Sequence, residues 1–127
     1  MRTLRSLGLL GALFAFAAQL HAAELPYNAT QYQQSLAAGK PVVVYFHADW
    51  CPTCRAQQPI VNRLAKEPAF APVTIFVADF DTETALEKSL KVNHQSTFVV
   101  FKQGHEVGRS TGQTDEAQIR ATLQQAL

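Results

Sequence analysis

Short apolar runs rich in β-branched residues alternate along this chain with stretches whose apolar positions recur every three to four residues. Pro41-Val42-Val43-Val44-Tyr45-Phe46, Val73-Thr74-Ile75-Phe76-Val77-Ala78 and Thr97-Phe98-Val99-Val100-Phe101 are unbroken runs, the pattern of strands covered on both faces. Between the first two, Ile60 and Leu64 fall four apart. That spacing predicts a helix from Cys51 to about Lys66, kinked at Pro59. Thr82 to Lys91 predicts a short helix, with Glu83 near its start and Lys88 and Lys91 near its end, as the helix dipole prefers. Asp79 and Asp81 read as a strand end and a cap for that helix. Upstream, Thr30 as N-cap, with Gln33 reaching back, predicts a helix that stops near Gly39. Gln103-Gly104-His105 turns the chain into Glu106-Val107-Gly108-Arg109, an antiparallel edge hairpin. Thr114-Asp115-Glu116 opens a final helix with Ile119 and Leu123 on one face. The order α-β-α-β-α-β-β-α implies an α/β fold: a mixed central sheet of four to five strands flanked by helices.

The first two dozen residues do not fit this alternation. Arg2 and Arg5 precede an almost wholly apolar stretch, Leu7 to Leu20, and small residues Ala22 and Ala23 follow. That is the order of a secretory signal peptide, so residues 1–23 read as a leader and residues 24–127 as one domain. The apolar run is shorter than the roughly 20 residues a spanning helix needs; a retained anchor is the alternative. No Cys stands at the cleavage site and no Arg-Arg pair precedes it, which points to general secretion rather than lipidation or twin-Arg export. The expected location is periplasmic or otherwise extracytoplasmic. Without Arg2 and Arg5, nine Lys and Arg face ten Asp and Glu, a net charge of −1. A domain so balanced has no electrostatic footprint for nucleic acid or an anionic membrane.

Two cysteines, Cys51 and Cys54, supply the candidate chemistry. A structural staple usually closes a longer loop, because in the chain-entropy model stabilisation grows with loop length. A bridge across Pro52-Thr53 constrains little of the unfolded chain, so the pair suits exchange rather than stability. Disulfide exchange needs a thiolate, a second thiol to resolve the mixed disulfide, and access to a partner. Cys51 falls at the predicted N-terminus of a helix, where unpaired N–H groups favour an anion, and Pro52 suits the first turn. Cys54, one turn deeper, is the resolving thiol; Arg55 favours the thiolate and Asp49 opposes it. The competing reading is half a zinc site. His47, His94 and His105 are the available nitrogens, and none shows a ligand spacing.

These residues resemble the thioredoxin family over essentially the whole domain. Val42 to Arg55, with Trp50-Cys51-Pro52-Thr53-Cys54 at its heart, is similar to the family's active-site strand and helix start. Pro59 falls at the family's helix proline, Phe101-Lys102-Gln103-Gly104 at its hairpin, and Gly112 at its later glycine. The Ala-Asp-Trp-Cys form also resembles the exported thioredoxin-like domain of membrane thiol-reductase systems.

Three departures stand against what the resemblance implies. The family's cis-proline, which faces the thiols, binds partner peptide and keeps metals away, is here Ser96. A cis bond before a non-proline residue costs about 2.5–4 kcal/mol, so Gln95–Ser96 is expected to be trans. The family's buried Asp, which assists the resolving thiol, is Tyr45, and its partner Lys is Val77. Tyr45 reads as a core or semi-buried aromatic rather than a replacement acid–base group, leaving proton transfer from Cys54 to water or another group. His47 replaces an aromatic residue and reads as a packed or surface imidazole, with tuning of Cys51 as the other reading; His94 and His105 read as solvated.

The resemblance implies a thiol:disulfide oxidoreductase without a resident cofactor or metal. The chain lacks the helical insertion and the His before the second Cys that mark dedicated extracytoplasmic oxidants, that place being Thr53, and it lacks length for an isomerase's dimerisation domain. A monomeric reductase of exported protein disulfides, fed by a membrane thiol-reductase donor, is the expectation. A metal- or iron–sulfur-cluster-binding protein using the same two thiolates, permitted by Ser96, is the alternative.

Overall fold

The computed structural model describes residues 11–15 and 20–127. Arg2, Arg5 and most of the expected leader lie outside the described residues. Of the described part of that leader, Leu13 and Phe14 are almost fully exposed.

Five strands form one mixed sheet. The elements are β1 (Ala23–Pro26), α1 (Ala29–Ala37), β2 (Val42–His47), α2 (Pro52–Ala65), a 3-10 turn (Pro68–Phe70), β3 (Thr74–Asp79), α3 (Thr84–Leu90), β4 (Thr97–Lys102), β5 (His105–Thr111) and α4 (Glu116–Gln124). Strand order is β1-β3-β2-β4-β5. β1, β3 and β2 run parallel, while β4 pairs antiparallel with β2 and β5 with β4. The three apolar runs thus become the three central strands, and every residue of β2 is buried.

Period-two alternation divides the core between the two faces. Val43, Tyr45, Ile75, Phe98 and Val100 meet Val61 and Leu64 of α2 and Ile119 and Leu123 of α4. Val42, Val44, Phe46, Phe76 and Phe101 meet Tyr32 of α1 and Leu86 of α3 on the other.

Several boundaries differ from the sequence reading. β1 was not expected; Ala22 and Ala23, assigned to the leader, donate their N–H groups to Ala65 O and Val73 O at 2.7 and 3.1 Å. Four residues ending in Pro carry no periodicity, and only pairing with β3 makes them a strand. α1 is capped by Asn28, whose Oδ1 accepts from Gln31 N at 3.0 Å, not by Thr30, which lies inside the helix. Asn28 holds the cap because it is the last residue with extended backbone, φ −136° and ψ 122°, before the first helical turn. α3 begins at Thr84 without a side-chain cap. Asp79 Oδ1 instead accepts from Asp81 N at 2.9 Å, an Asx turn that closes β3. α2 continues through Pro59, which has no N–H for the carbonyl of Arg55.

Candidate active site at the N-terminus of α2

β2 carries the chain through the sheet centre and releases it at His47, so that Ala48-Asp49-Trp50 turns directly into α2. Cys51 is the N-cap residue, with φ −85° and ψ 116°, and Pro52 opens the first turn. The Cys51 sulfur does what a Ser or Asp oxygen usually does at this position: it accepts the N–H of Cys54, at 3.2 Å. The local rule that builds the helix end therefore also aims backbone dipoles at the nucleophile.

Cys51 and Cys54 are both buried free thiols. Burial alone would raise the pKa of Cys51. The Cys54 thiol and N–H, the Gln95 side-chain amide and the Thr53 N–H outweigh it and hold the pKa below the ordinary thiol range. Cys54 moves the other way, pushed up to about 11 by burial and by sharing its proton with Cys51. One thiol is poised to attack, and the other keeps its proton until needed.

A pH experiment follows. Alkylation proceeds through the thiolate, so a lowered pKa shifts the rate curve to lower pH. Iodoacetamide modification of Cys51 should reach half its maximal rate below the ordinary thiol value of about 8.5. The midpoint should rise in Cys54→Ala, which removes the side-chain donor that lowers it most. A wild-type midpoint at or above that ordinary value would contradict the geometry.

The other expected site residues converge here. Trp50 is 56% exposed beside the thiols, and its indole N–H donates to Asp81 Oδ2 at 2.8 Å, so Asp81 anchors the tryptophan rather than capping α3. Pro52 is exposed and Thr53 half-buried. Ser96 is buried, with φ 57°, and no peptide bond among the described residues is cis. A serine in the left-handed region is uncommon, and a close web surrounds it: Ser96 N donates to Phe46 O at 2.8 Å, and Gly112 N, at φ 76°, donates to Ser96 O at 3.0 Å. Tyr45 is 1% exposed, and its strand register places it opposite Val77. It is the buried aromatic expected, yet its hydroxyl is not idle; it donates to Cys54 O at 3.1 Å. His47 is buried, with Nδ1 3.3 Å from Tyr45 Oη and Nε2 3.0 Å from Asp49 Oδ1. His94 and His105 are exposed. Among the described residues, no three His, Cys, Asp or Glu side chains converge as a metal site.

Two residues escaped the sequence reading. Gln57 is fully buried on α2 and donates through Nε2 to Ser96 O and Gln113 O, at 3.2 and 2.8 Å, tying the helix to the Ser96 loop. Its signal was there: Cys54, Gln57, Val61 and Leu64 form one helical stripe, and a polar residue within it needs buried partners. Gln95, which helps lower the Cys51 pKa, sits in a loop whose course no local pattern gives.

The thioredoxin family model matches residues 24–125. An H-type thioredoxin of Fagopyrum esculentum is 37% identical over 82 residues, covering 65% of this chain and 69% of its own. A thioredoxin of Chlamydia muridarum is 35% identical over 85 residues, 67% of this chain and 80% of its own. The crystal structure of Trxlp from Edwardsiella tarda superposes with a TM-score of 0.77 at 35% identity, covering 80% of this chain and 98% of that one.

Proposed function

The chain belongs to the thioredoxin family of thiol:disulfide oxidoreductases, and we propose that it works outside the cytoplasm as a reductant of disulfides in exported proteins. The observation that supports the direction is the compact segment between β3 and β4, which holds the single short helix α3 and no helical insertion, with Thr53 rather than a His before the second Cys. Export rests on the leader sequence, within which Leu13 and Phe14 are almost fully exposed. In this reading a membrane thiol-reductase donor returns electrons to the pair.

Equilibration against glutathione tests the direction. A reductant should show a potential near about −270 mV, whereas a value near about −120 mV would make the protein an oxidant. Export predicts a mature N-terminus at Ala23 or Glu24 in an extracytoplasmic fraction. An intact N-terminus in the cytoplasm would refute that part alone.

A further inference from the structure

α2 carries more than the two thiols. Gln57 follows Cys54 by one turn on the same buried stripe and is itself fully buried. Its Nε2 uses both hydrogens, donating to Ser96 O at 3.2 Å and to Gln113 O at 2.8 Å. One bond reaches the segment before β4 and the other the segment after β5. Its Oε1 is buried with no partner among the described residues. An orphaned buried oxygen is a net cost to the fold, so stability alone does not account for a glutamine at this core position.

The turn that Gln57 grips is held on several sides. Ser96 sits at φ 57°, its N–H donates to Phe46 O at 2.8 Å, and its O accepts from Gly112 N at 3.0 Å as well as from Gln57. Thr97 Oγ1 donates to His94 O at 2.8 Å, and Ser96 Oγ donates to Gln95 O at 2.6 Å. The three successive carbonyls of 94–96 are therefore all taken, which pins the backbone on either side of Gln95. The half-buried Gln95 side chain is left to face the thiols, where its amide donates to the Cys51 sulfur. A proline in place of Ser96 would lack the N–H given to Phe46 and would hold φ near about −65°. This turn thus excludes the residue the family carries, and Gln57, Phe46 and Gly112 hold the loop in its stead.

We propose that Gln57 is a positioning residue for the nucleophile: it clamps the Ser96 turn to α2, the helix that begins at Cys51, and so holds the Gln95 amide against the Cys51 sulfur. Gln95 touches the reacting atom; Gln57 acts through it. A hydrogen bond weakens steeply as its angle and distance degrade, so a turn free to drift from α2 loses this donor first. In the attack, the Cys51 thiolate bonds to one substrate sulfur and the substrate S–S bond breaks, its electron pair leaving on the other sulfur. The Gln95 N–H stabilises the negative charge on Cys51 before that charge passes to the substrate, and it raises the fraction of protein ready to attack.

The ultraviolet absorbance of the thiolate in the reduced protein reads this contact. Near neutral pH the signal belongs to Cys51, because the Cys54 pKa is pushed up to about 11. At one fixed pH in that range, Gln95→Leu should lower the Cys51 thiolate-to-thiol ratio about three- to tenfold, the scale of one hydrogen bond. Gln57→Met keeps the length of the side chain and removes its donors; it should lower the ratio by a similar factor. Gln57→Leu repeats the loss with a second shape and should do the same. Added to Gln95→Leu, either Gln57 change should lower the ratio by less than about twofold more, because both remove one contact. Gln58→Leu, the same loss of an amide at an exposed place on α2, should leave the ratio unchanged. Asp49, Arg55 and Asp81, the charged groups around the Trp50–Cys54 segment, are the same in every variant.

A Gln57 that served packing alone would move the urea midpoint and leave the ratio where it was, which would overturn the clamp. Factors that simply multiply in the double variant would overturn it too, since Gln57 would then not act through Gln95. The role presupposes exchange through Cys51, and neither direction nor compartment. A wild type with no thiolate signal near neutral pH would remove nucleophile and clamp together, whereas a wild-type signal that persists in the Gln57 variants would remove the clamp alone.

Discussion

Cys51→Ser is expected to abolish dithiol-driven reduction of a protein disulfide, lowering turnover about a thousandfold or more, the scale on which deleting a nucleophile acts elsewhere. The seryl oxygen occupies the same N-cap place and accepts the same Cys54 N–H, so the helix end and the fold should persist. What disappears is the thiolate. Cys54 cannot substitute, because it is fully buried and its pKa is pushed up to about 11. Cys54→Ser should behave differently. Its Cys51 still attacks, but no thiol resolves the product, so a mixed disulfide with substrate should accumulate on non-reducing gels and under mass spectrometry. Turnover retained in Cys51→Ser, or no trapped species in Cys54→Ser, would contradict the assignment of attacking and resolving roles.

The largest stability effect is expected from Phe98→Ala. Phe98 is fully buried in β4 and lies opposite Tyr45 in the β2–β4 register. Their rings stack at 4.5 Å between centroids, 9° from parallel. Removing a buried Phe costs about 3–5 kcal/mol through lost transfer energy and the cavity left behind, and loss of the aromatic pair adds to this. Against a typical total of about 5–15 kcal/mol the variant should be marginal. Urea unfolding should show the midpoint falling by about 2 M. Val107→Ala, on a half-exposed position of edge strand β5, is the control and should cost under about 0.5 kcal/mol. A Phe98→Ala loss under about 1 kcal/mol would mean that the sheet face behind the site repacks freely. The same stack fixes the ring whose hydroxyl donates to the Cys54 backbone carbonyl.

The parts of the structure legible in advance were those decided by neighbours in sequence. Val42–Phe46, Thr74–Ala78 and Thr97–Phe101 read as strands because β-branched and aromatic residues without polar interruption fit a doubly covered sheet. The Cys51 helix start was legible because Cys-Pro at a strand-to-helix junction satisfies both the cap and the first turn. β1 was not, since its four residues become a strand only through rungs offered by β3. Nor was Asn28 distinguishable from Thr30 as a cap, because either side chain suits the position and the chain's path decides.

The site divides in the same way. The sequence by itself determined the two thiols, their spacing, which one sits at the helix end and hence the exchange chemistry, because these depend on covalent order and on a helix terminus that forms locally. It also marked Tyr45, Val77 and Ser96 as departures from the family. Only the tertiary structure decided what those departures do. Ser96 holds a left-handed turn because Phe46 of β2, Gln57 of α2 and Gly112 just after β5 bond it there. Tyr45 is both core aromatic and hydrogen-bond donor to Cys54, a pairing nine residues apart in sequence that exists because β2 and α2 pack face to face. His47 joins that line, rather than standing alone at the surface, because strand alternation aims it where Tyr45 points and the turn brings Asp49 beside it. Periodicity states which side a residue faces. What it meets there is fixed by the packing of elements distant along the chain.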